Sequence, residues 1–79
     1  MECQKETHLL ELLNTLFEKQ QKKLLALGRE IIPEMTSEDL LQPMDFSLLE
    51  LNPLFRFEEG LLMGIGETRA AILSYLKDN

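Results

Sequence analysis

One cysteine, one histidine, no tryptophan and no apolar run near the length of a membrane span are the first features of this 79-residue chain. Each scarcity excludes something. A lone Cys3 cannot close an intrachain disulfide, which fits a reducing compartment. Cys3 and His8 together supply two ligands where a structural zinc site wants four, so neither a metal nor another cofactor is expected. A spanning helix needs about 20 consecutive apolar residues. The stretch Met1 to Glu6 is polar and mixed in charge, unlike a signal peptide. The expectation is a soluble, cytoplasmic protein that makes no membrane contact. Four phenylalanines, one tyrosine and few β-branched residues give little support for strands.

Chemistry is equally thin. His8 has no orienting group and no oxyanion pocket in view, so no catalytic residue is assigned and no enzyme is expected. Gly64-Ile65-Gly66 follows a helical pattern rather than a strand and lacks the lysine of a nucleotide loop. Lys19, Lys22 and Lys23 form a small basic cluster with no aromatic stacking platform, in a chain of net charge −6. They read as a solvated helix face, and nucleic acid is not an expected partner.

What the chain does have is leucine at helical spacing. Asn52 is placed to cap a helix whose first residue is Pro53, where the missing N–H costs nothing. From Leu54 one sector collects Phe57, Leu61, Ile65, Thr68, Ile72, Tyr75 and Leu76, with Phe55, Leu62 and Leu73 on its shoulder. That sector is roughly 160° wide, broader than the ~100° stripe of a helix packed on one neighbour. Three interior glycines, Gly60, Gly64 and Gly66, each cost about 1 kcal/mol against alanine. Leu61 and Ile65 stay in phase across them, which favours a continuous helix over residues 53–77. Gly60, Gly64, Thr68 and Ala71 share a flank on which another helix backbone has room to approach.

A first helix is expected over about residues 6–32, ending before Pro33, with Thr7 as a candidate cap. Its apolar line is Leu9, Leu13, Leu16, Leu24, Leu27 and Ile31, with Leu10, Leu12 and Phe17 beside it and Gln20 interrupting it. Two helices about 40 Å long suit an antiparallel hairpin. The expected register sets Ile31 against Leu54 and Phe57, Leu24 against Leu61, Leu9 against Leu76, and Gln20 near Gly64 and Thr68. Glu58 falls at the edge of the apolar sector and needs a partner there, for which Arg29 is the candidate.

Residues 33–52 are too apolar for a linker and too long for a simple turn. Thr36-Ser37-Glu38-Asp39 resembles a capping box, giving a short helix over about residues 37–42 that stops at Pro43. A further turn is expected from Asp45 or Ser47, with Met35, Leu40, Leu41, Met44, Phe46, Leu48 and Leu51 as the segment's own apolar set. It should fold over the hairpin's end near Ile31 and Phe57.

The charges of residues 1–33 and of residues 61–79 cancel, so the whole net charge falls in residues 34–60. The class expected is therefore all-α: one domain, a hairpin of two long helices with a helical capping segment, dimerising into a four-helix bundle. The expected function is that of a small acidic interaction module, an adaptor or chaperone-like subunit acting through an apolar helical face on a protein partner or a second copy. Leu10, Phe17, Phe55, Leu62 and Leu73 are the residues expected to remain on the surface for binding. The alternative is an acidic regulator or inhibitor that docks on a basic protein through residues 34–60, with Glu38, Asp39, Asp45 and Glu50 as the acidic surface.

Overall fold

The structure, a computed structural model, describes residues 2–42 and 45–77, with side chains from Lys5 onward. Cys3 as a ligand or free thiol, the stop at Pro43 and the packing of Met44 all lie outside the described residues. The chain runs α1 (Glu2–Ile31), a 3₁₀ turn (Glu38–Leu41), α2 (Ser47–Glu50) and α3 (Pro53–Lys77). The two long helices form the expected hairpin, with the short segment packed at its closed end.

The helix ends follow local chemistry. Asn52 Oδ1 accepts from the Phe55 N–H at 2.9 Å, the cap its position implied. Thr7 is not a cap, because α1 already begins at Glu2. At the other end of α1, Pro33 forces Ile32 out of the helix, and the Arg29 Nε donates to the Met35 carbonyl at 2.9 Å to hold the reversal. The capping box is only half made: Ser37 makes no side-chain bond, while Thr36 N–H donates to Asp39 Oδ2 at 2.9 Å. The short helix expected over about 37–42 is present as a 3₁₀ turn over Glu38–Leu41. α3 is continuous through Gly60, Gly64 and Gly66.

The core sits at the closed end. Leu24, Met35, Leu49 and Phe55 are its fully buried side chains, with Leu27, Ile31, Leu40, Phe46 and Leu62 packed around them. Gly28 leaves room there for Met35, whose sulfur would have to shift to admit a Cβ at that position. Phe55 and not Phe57 meets the capping segment, and Leu24 joins Phe55 rather than Leu61. The buried arc of α3 is thus Phe55, Glu58 and Leu62, rolled by roughly 50° from the centre of the apolar sector. The reason is the capping segment: its apolar residues cover one side of the hairpin and draw that shoulder of α3 inward.

Candidate functional site: the open face of the hairpin

A polar layer fixes how α3 meets α1. Glu58 is 5% exposed, although its position on α3 adjoins the apolar sector. Its Oε1 pairs with Lys23 Nζ at 3.0 Å, and Gln20 Nε2 donates to that oxygen at 3.2 Å and to the Glu58 carbonyl at 3.0 Å. The ion-pair partner is therefore Lys23, not Arg29, and Gln20 meets Glu58 rather than Gly64 and Thr68. Both corrections follow from the roll, which turns Glu58 toward α1 while Arg29 is engaged at the chain reversal. Toward the open end Asn14 Oδ1 accepts from Arg69 Nε.

The bonds from Lys23 and Gln20, with the Lys23 charge, hold the Glu58 carboxyl below the ordinary glutamate value of 4.5, against the opposing push of burial. A carboxyl lowered in the folded chain stabilises above 4.5 and loses that contribution as pH falls through its folded value. Glu58→Gln should therefore lower the urea midpoint at neutral pH. The gap from the unmodified protein should narrow as pH falls below 4.5 and through the lowered folded value. A gap that stays constant over that range would remove the ion pair from the account of stability.

The capping segment covers only one broad face. On that side Phe17, Leu25, Leu40 and Leu62 line a cleft with Gln21 and Ser37. On the opposite side none of the described residues lies over the hairpin. There Leu13, Leu16, Gly60, Leu61, Gly64, Ile65 and Thr68 line an open groove, while Leu54 lies in a separate hollow with Lys23, Ala26, Leu27, Glu30 and Glu58. Leu16, Leu54, Phe57 and Leu61 are 43%, 56%, 63% and 42% exposed, far more than four large apolar side chains in a closed core would be. A Cβ on Gly60 or Gly64 would meet nothing within 4 Å, whereas one on Gly66 would touch the Phe17 ring at 3.2 Å.

The five residues expected on the binding surface are distributed differently. Phe55 is not on it: it is fully buried as the anchor of the core. Leu10, Phe17 and Leu62 are half-buried, and Leu73 lies at the border of exposure near the open end. The exposed set on the opposite flank, Leu16, Leu54, Phe57 and Leu61, was legible only as apolar periodicity, which marks a face without saying which side another segment will cover. Of the acidic set, Glu38, Asp45 and Glu50 are exposed and Asp39 is half-buried. Leu41, Leu48 and Leu51 of the capping segment are exposed among them.

His8 is exposed. Among the described residues no group of three or more His, Cys, Asp or Glu is arranged to hold a metal ion. No described helix is long and apolar enough to cross a membrane. Comparisons with protein-family models, curated proteins and solved structures find no match for this chain.

Proposed function

We propose that this chain is a protein-interaction module whose working surface is the open face of the hairpin, in the manner of an adaptor or chaperone-like subunit. The observation that supports it is the uncovered groove between α1 and α3, with Leu16 and Leu61 exposed in its lining and Leu54 and Phe57 exposed elsewhere on α3. Apolar side chains in a contiguous patch favour removal from water by about 25 cal/mol per Å². A helical ridge or an amphipathic partner helix fits such a groove by burying its own apolar stripe. Nothing in this function calls for catalysis.

A photo-crosslinking residue placed at Leu61 in cells should capture a protein, and Leu61→Glu or raised salt should discriminate the mode of binding. Apolar docking is lost with Leu61→Glu and persists in high salt. Capture only from Glu38 or Glu50, abolished by salt, would replace this reading with that of an acidic regulator docking through residues 34–60.

A further inference from the structure

Resting on that reading, we infer that the occupant of the open face is a second copy of this chain, packed antiparallel with α3 against its own symmetry mate across Gly60 to Gly64. Area is the first reason. The chain exposes 6088 Å², while a folded monomer of 9.2 kDa typically exposes about 4,900 Å². The surplus, roughly 1,200 Å², is of the order that one partner contributes to a stable interface, about 800 Å². Shape is the second. The molecule measures 47 × 19 × 18 Å with a radius of gyration of 15.1 Å, against about 12 Å for a compact chain of this length.

The face is also self-complementary, as a two-fold interface requires. Phe57 is a knob, 63% exposed; one and two turns further on, Gly60 and Gly64 leave a recess with Leu16 and Leu61 at its wall. A two-fold axis beside Leu61 carries each Phe57 ring into the recess of the other copy. Charge selects the antiparallel sense. The six net negative charges lie in residues 34–60, at the closed end, and this arrangement sets the two acidic ends far apart where a parallel one would set them together.

The test is the solution mass of the purified full chain by sedimentation and light scattering, at low and high salt. A dimer is expected in both. Gly64→Leu places a side chain in the recess with its Cβ clear of its own chain, so helicity should be retained while the dissociation constant rises at least tenfold; Phe57→Glu should raise it at least a hundredfold. In a Cys3→Ser background, Leu61→Cys should oxidise to a linked dimer, and Leu48→Cys should not. A monomer at all concentrations would overturn the inference. So would a dimer indifferent to Gly64→Leu and unlinked through residue 61. A purified monomer whose residue 61 still captures another protein in cells would overturn the second copy alone and leave the binding face standing.

Discussion

Phe55→Ala is expected to cost about 3–5 kcal/mol of folding stability, the range for truncating a fully buried aromatic ring. Phe55 is 0% exposed and shares one buried cluster with Leu24 of α1 and with Met35 and Leu49 of the connecting segment, so its loss leaves a cavity at the centre of the core. A chain of this size has roughly 4–12 kcal/mol in total. The variant should therefore be largely unfolded, or folded only at low temperature, by circular dichroism and urea titration. Phe57→Ala, two residues on and 63% exposed, is the control. On the single chain it should cost less than about 1 kcal/mol, because most of its ring is already in water. Any further loss that grows with protein concentration would belong to association. Equal effects from the two substitutions would mean that α3 is not rolled as described.

Leu24→Ala is the second large effect, at about 2–4 kcal/mol. Leu24 is 1% exposed and joins α1 to the same cluster as Phe55 and Met35. Met35, unbranched and adaptable, is the neighbour best able to fill part of the gap, which keeps the value off the top of the usual range. Leu16→Ala should cost only about 1 kcal/mol in the single chain, since Leu16 is 43% exposed. Because Leu24 and Phe55 share one cluster, the double variant should lose less than the sum of the two, and a double-mutant cycle on urea midpoints measures the difference. Strict additivity would place the two residues in separate cores.

The charge distribution bears on the same closed end. Residues 34–60 hold all of the net negative charge, yet Glu58 within that stretch is buried and engaged by Lys23 and Gln20. The acidic groups left fully exposed there are Glu34, Glu38, Asp45 and Glu50. In the observed rotation of α3 the buried carboxylate has two partners, Lys23 and Gln20, and a rotation that kept it buried away from them would leave it unpaired at a cost. Gln20, the polar interruption in the apolar line of α1, has its explanation in that pairing.

The chain alone determined that this protein is two long helices and a short capped connection. Leucine spacing, Asn52-Pro53 and Pro33 are local signals, and each acts within a turn or two of itself. Continuity through Gly60 to Gly66 was legible for the same reason: the apolar phase runs on across them. What only the tertiary structure decided is the rotation of α3, and with it which phenylalanine is core and which is surface. A sector roughly 160° wide has two shoulders of similar apolar content, and helical periodicity does not rank them. The ranking came from residues far away along the chain. Met35, Leu40, Phe46 and Leu49 cover one shoulder, and Lys23 and Gln20 capture Glu58, so Phe55 goes in and Phe57, Leu61 and the Gly60–Gly64 recess stay out.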